Sequence, residues 1–134
     1  MMPGKYVPPL KRGDGLCSRY NLQSPSVNAF FGDSFIRLFG LIHDRSVCVK
    51  PFKGASAKGL VREDNENRLV IIRYVKGNSR LKRCIFCFGS VDVHMSYYFK
   101  KYVKEEGELD LEDLAEQYVT FVARLPTNAQ RMIV

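Results

Sequence analysis

Residues 67–90 read NRLVIIRYVKGNSRLKRCIFCFGS, and the assignment of this stretch decides the fold. Two β-branched and aromatic runs flank Gly77-Asn78, the pattern of a β-hairpin with strands at about 68–76 and 80–88. Arg68, Arg73, Lys76, Arg80, Lys82 and Arg83 are set into the same ribbon with no acid among them. Alternation puts Val70, Ile72 and Tyr74 on one face of the first strand, and Leu69, Ile71, Arg73 and Val75 on the other. In the second strand Cys84, Phe86 and Phe88 oppose Leu81, Arg83, Ile85 and Cys87. The aromatic faces are expected to meet helices. Arg73 and Arg83 are then left on an open sheet face.

Working outward, SVCVKPFKG (46–54) alternates as a further strand, and Pro51 places it at an edge because proline removes a ladder donor. ASAKGLVREDNE (55–66) reads as a loop. Upstream, Ser24-Pro25 has the form of an N-cap followed by proline. Val27, Phe30, Phe31, Phe35, Leu38 and Leu41/Ile42 then recur at helical spacing, predicting an amphipathic helix over 25–44. Downstream, Ser90 can cap a helix carrying Met95, Tyr98, Phe99, Tyr102 and Val103, which Gly107 stops. Asp110 can cap another, with Leu111, Leu114, Tyr118, Phe121 and Leu125 turned inward and Pro126 ending it.

These elements predict an α+β fold: helix, three-stranded antiparallel sheet, helix (α-β-β-β-α), then an extra C-terminal helix. Three regions are expected: a flexible, basic, proline-rich tail at 1–25, an RNA-binding domain at 26–106, and a C-terminal helix with a frayed end at 107–134. Within the tail, KYVPPLKR (5–12) is a polyproline-like segment.

The chain of 134 residues carries a net charge of +7, unevenly placed. Residues 45–83 hold eleven Lys/Arg against three acids, and residues 100–125 hold four against seven. Clustered positive charge points to a polyanion, nucleic acid before an anionic membrane surface. Lys50, Lys53, Lys58, Arg73, Lys76, Arg80, Lys82 and Arg83 are the expected RNA-binding residues. Such guanidinium and ammonium groups grip phosphates, while few amides are placed to read base edges.

No enzymatic site is expected. Cys84-x-x-Cys87 would point its thiols to opposite faces of a strand, and Cys17, Cys48, His43 and His94 supply no second paired spacing for a metal. His94 reads as a surface histidine, and Asp110, Glu112 and Asp113 as a helix start. No cofactor is implied: a glycine-rich phosphate loop of the P-loop or dinucleotide type is missing. Four cysteines and a start, MMPGKYVPPLKRGDG, without the apolar segment of a secretory signal imply reduced thiols and a cytoplasmic setting. No apolar run reaches membrane-spanning length, so stable membrane insertion is not expected.

In order and spacing of elements the chain resembles the Alu-domain proteins of the signal recognition particle. SFIRLFGLIHD (34–44), SVCVKPFKG (46–54) and NRLVIIRYVKGNSRLKRCIFCFGSVDVHMSYYFKKY (67–102) carry the likeness, over roughly residues 26–104. The resemblance implies a heterodimer with a smaller homologous subunit, the strands of both joining into one curved sheet. That sheet would hold the particle's RNA. It also implies an indirect action on the ribosome, in which elongation is delayed during targeting to the endoplasmic reticulum. The competing expectation is a protein-interaction adapter that uses the open sheet face or edge together with the YVPP tail. A thiol oxidoreductase using Cys84 and Cys87 is a third.

Overall fold

The structure, a computed structural model, describes residues 27–42, 44, 46–105, 107 and 109–134. Its elements run in the order β1 (Asn28–Gly32), a 3-10 helix α1 (Ser34–Leu41), β2 (Val47–Pro51), the short α2 (Ala57–Leu60), α3 (Glu66–Gly77) and β3 (Arg83–Cys87). There follow α4, π-helical over Asp92–Phe99 and α-helical over Lys100–Tyr102, then α5 (Leu111–Ala123) and β4 (Gln130–Ile133). The four strands form one sheet in the order β2-β1-β3-β4, and every pairing in it is parallel. The fold is therefore α/β, and the expected antiparallel meander is corrected.

The decisive change lies in the opening stretch. Its first half, 66–77, is helix α3 rather than a strand. Asn65 caps it, accepting a hydrogen bond from the Arg68 N–H through Oδ1, with Glu66 in the first turn and Lys76 in the last. Burial follows the helical period: Ile71 and Val75 are fully buried, Arg68 and Ile72 half-buried, and Leu69 and Val70 exposed. The β-branched residues lower the intrinsic helix propensity, and packing of one stripe against the sheet outweighs it. Gly77-Asn78 is accordingly the end of a helix. Asn78 is buried, its Nδ2 donating to the Tyr74 hydroxyl and its Oδ1 accepting from the Arg80 N–H.

The expected first helix is also corrected. Asn28–Gly32 is the central strand β1, paired with β2 on one side and β3 on the other, with Ala29 and Phe31 buried. Helical geometry begins only after Asp33, whose carboxylate accepts from the Phe35 N–H. At the other end, residues expected to fray form β4, so the last helix is followed by a strand of the same sheet. Other expectations agree with the structure. Val47–Pro51 is an edge strand, 83–87 is a strand, and α5 is capped by Asp110, which accepts from the Asp113 N–H. The tail, with KYVPPLKR, Ser24-Pro25 and Cys17, lies outside the described residues, as does His43.

Two hydrophobic layers flank the sheet. On one face Ala29, Phe31, Cys84, Phe86 and Phe88 pack with Leu60 of α2, Ile71 and Val75 of α3, and Leu114, Tyr118, Phe121 and Val122 of α5. The other face is smaller: Ile36 of α1 packs with Val47 and Val49, flanked by Phe30 and Cys87. The face expected to be open is thus covered in part by α1. Right-handed crossovers put helices on opposite faces when a chain reverses its direction across a parallel sheet. The chain does so here, moving from β1 out to β2, then back past β1 to β3 and β4.

Gly32 is where the two central strands converge. A Cβ at this position would lie 2.6 Å from the Cys87 carbonyl oxygen and 2.9 Å from Ile36 Cβ. Gly32→Ala is expected to cost about 2 to 3 kcal/mol, because the clash is with backbone that cannot swing aside. Urea unfolding of the variant measures it, and wild-type stability would contradict the convergence.

Candidate functional site

In open α/β sheets the crevice beyond the carboxyl ends of the strands, where successive connections leave to opposite faces, is the usual place for a ligand. Here that point lies between β1 and β3. The segment leaving β1 is Gly32-Asp33-Ser34, and the one leaving β3 is Phe88-Gly89-Ser90, with Asp92 two residues on.

These segments are bound to each other. The Asp33 N–H donates to the Cys87 carbonyl (3.1 Å), and the Ser90 hydroxyl donates a short hydrogen bond to Asp33 Oδ2. The second Asp33 oxygen accepts from the Phe35 N–H at 3.0 Å, so a carboxylate that is 1% exposed has both oxygens engaged. Gly89 has φ +121°, a region closed to residues with a Cβ, and this turns Ser90 back toward Asp33. Ser34, next to the buried Asp33, is exposed at the first position of α1.

Asp92 is equally buried and serves a second junction. Its two oxygens accept from the backbone N–H groups of Ala57 (2.6 Å) and Lys58 (2.9 Å), tying α4 to the start of α2. The loop after β2 is thereby drawn to the same edge. There Lys53, Ser56, Gly59, Asn65 and Asn67 line a polar cavity of about 160 Å³. A larger, mostly apolar groove of about 360 Å³ starts at Ser34 itself and runs along Phe35, Arg37, Leu38 and Leu41.

The expected RNA-binding residues are divided between the two ends of the sheet. Arg73, Lys76, Arg80, Lys82 and Arg83 are all exposed, from the second half of α3 to the first residue of β3. They belong to the amino edge, where Arg83 Nη1 donates to Asn28 Oδ1 at the start of β1 (3.2 Å). Lys50, Lys53 and Lys58 belong to the carboxyl edge, with Lys50 half-buried and its Nζ 5.7 Å from the Phe52 ring centre. The open sheet face expected to carry Arg73 and Arg83, with the other basic residues at its turn and along its first strand, is replaced for Arg73 by helix α3 and its exposed side. Arg68, also counted in the basic ribbon, donates to the Val61 carbonyl and lies over Phe121.

The thiols behave as core groups. Cys84 faces the larger core and Cys87 the smaller, on opposite sides of β3. Burial pushes the Cys84 thiol up to about 11, and burial with the nearby Asp33 charge raises Cys87, so both are neutral thiols at neutral pH. Among the described residues, no group of three or more His, Cys, Asp or Glu side chains could hold a metal ion. No helix among them is long and apolar enough to cross a membrane.

Asp33, Ser34, Ser90 and Asp92 are absent from the sequence-based list of site residues. A signal for them exists: NAFFGDS and IFCFGSVD each place a glycine, a serine and an aspartate directly after an apolar run. It becomes visible only once both runs are recognised as adjacent parallel strands. Comparison of the chain with protein-family models, curated proteins and solved structures gives no match.

Removing the Asp92 carboxylate leaves two backbone donors at the α2 start without acceptors. Asp92→Ala is expected to lose about 2 to 4 kcal/mol of stability, read by chemical denaturation. A loss below about 0.5 kcal/mol, the range of neutral surface changes, would contradict the buried tie.

Proposed function

We propose that the chain carries a serine-centred acyl-transfer site, with Ser34 as the nucleophile toward a small ester or thioester. The carrying observation is the position of Ser34: an exposed serine on the turn between a central parallel strand and a helix, at the switch point of the sheet. Asp33 and Ser90 are positioning residues. Their hydrogen bond fixes the end of β1 against the end of β3 and so fixes the Ser34 backbone. The Ser34 N–H, first in α1, is the oxyanion donor assigned here, since the opening N–H groups of a helix lack intrahelical acceptors.

In the step proposed, Ser34 Oγ bonds to the carbonyl carbon and the C–O or C–S bond to the leaving group breaks. The hydroxyl proton passes through a general base to the departing alcohol or thiol, and water then releases the acid. A histidine suits that base. His94 stands at this edge, exposed, two residues beyond Asp92, and His43 follows α1 in sequence. Hydrolysis of 4-nitrophenyl acetate should fall at least about a hundredfold in Ser34→Ala. His43→Gln and His94→Gln should separate the base, one falling by a like factor and the other remaining near wild type. Undiminished hydrolysis in Ser34→Ala would overturn the reading.

A second reading is favoured by the amino edge. Arg73, Lys76, Arg80, Lys82 and Arg83 form an exposed basic strip with no acid between residues 67 and 91. Such a strip supports RNA binding through phosphates, with a partner subunit and a cytoplasmic role belonging to that reading; the element order that carried the signal recognition particle likeness is the antiparallel one that the parallel sheet replaces. Phosphate-dominated affinity for a structured RNA should weaken steeply as salt rises, and Arg73→Glu with Arg80→Glu should abolish it. Affinity indifferent to both salt and charge reversal would exclude this reading. The two sites occupy opposite edges of the sheet, so each test leaves the other unaffected.

A further inference from the structure

Helix α1 presents an apolar ridge that nothing in the chain covers among the described residues. A 3-10 helix has three residues per turn, so side chains three apart eclipse one another. Phe35, Leu38 and Leu41 therefore stand in one row, 65%, 70% and 69% exposed. Ile36 and Gly40 of the same helix are buried, and Phe39 stacks on Phe30 at 4.7 Å. Beside the ridge runs the row Ser34–Arg37, and the two rows line the groove of about 360 Å³ that opens at Ser34. Arg37 is half-buried and lines the groove. The natural complement of its guanidinium charge at such a place is an oxygen anion.

We infer that this groove binds a medium-chain aliphatic acyl group, its carbonyl or carboxylate at Ser34 and Arg37 and its tail along Phe35, Leu38 and Leu41. The match is one of order as well as chemistry. Ser34, directly after β1, stands at the start of the groove, Arg37 follows one turn on, and the apolar side chains continue to Leu41. From Phe35 to Leu41 the helix rises about 12 Å, at about 2 Å per residue. With bonds of ~1.5 Å, that length suits an extended chain of roughly eight to ten carbons. The inference deepens the acyl-transfer reading by naming the acyl class, and it rests on that reading for Ser34 as the reacting group. Groove binding itself needs no turnover.

The test is calorimetric titration of the full chain with sodium butyrate, hexanoate and octanoate at neutral pH. A fully covered methylene strengthens binding about fourfold, and an open groove covers it in part. Octanoate should therefore bind at least about tenfold more tightly than butyrate. Leu38→Ser with Leu41→Ser, both at exposed positions, should lose that advantage, and Arg37→Gln should weaken octanoate at least about tenfold. Far-ultraviolet circular dichroism verifies that each variant remains folded. Ser34→Ala should keep the octanoate-over-butyrate preference, so undiminished esterase activity in that variant with the preference retained would sink the nucleophile and spare the groove. Affinity independent of chain length, or unchanged in the double serine variant, would overturn the inference. So would self-association through the ridge that octanoate fails to dissociate.

Discussion

The approach of β1 to β3 at their carboxyl ends is the constraint on which the rest of the structure depends. Only a glycine at position 32 lets the Cys87 carbonyl and Ile36 come as close as they do. The Asp33 N–H then reaches that carbonyl, and the Ser90 hydroxyl closes onto the Asp33 carboxylate. From this pinch the chain leaves in two directions. It goes through α1 toward β2 over the smaller core, and through α4 and α5 toward β4, with α5 packing in the larger. The crevice and the exposed place of Ser34 at its edge are consequences of the pinch. Asp92 extends it by holding the α2 loop to the same edge.

Charge and apolar surface are sorted by the same frame. The basic strip from Arg73 to Arg83 sits where α3 ends and β3 starts, at the amino edge. The exposed phenylalanine and leucines of α1 sit at the carboxyl edge, beside the proposed nucleophile. In a parallel sheet these edges are separated by the length of the strands, here five residues in β1 and β3, or about 17 Å. An acyl site and a polyanion surface can therefore coexist without sharing a residue.

How much of this was legible in the sequence varies by element, for physical reasons. Helix α5 was legible because cap, acidic first turn and apolar period all agree there. Strands β2 and β3 were legible as short alternating runs. Helix α3 was not, since LVIIRYV has β-branched residues at four of its seven places and both periods fit it. Asn65 followed by Glu66 was the signal that could have settled the matter, and the Gly77-Asn78 pair outweighed it as a turn. Strand β1 was hidden by its neighbour: Phe30, Phe31, Phe35 and Leu38 keep a helical spacing across a boundary that only Asp33 marks. The site shared the fate of the topology. Asp33, Ser90 and Asp92 are ordinary polar residues until two distant runs, β1 and β3, are set side by side, a pairing that no local pattern specifies.

The most direct test of the central claim is covalent trapping at the crevice. The chain is treated with an alkyl fluorophosphonate, which reacts with activated serine hydroxyls, and the adduct is located by peptide mass spectrometry. The account predicts a single adduct, on Ser34. Modification at Ser90 or elsewhere in its place, or no modification under conditions that label an active serine hydrolase, would contradict it.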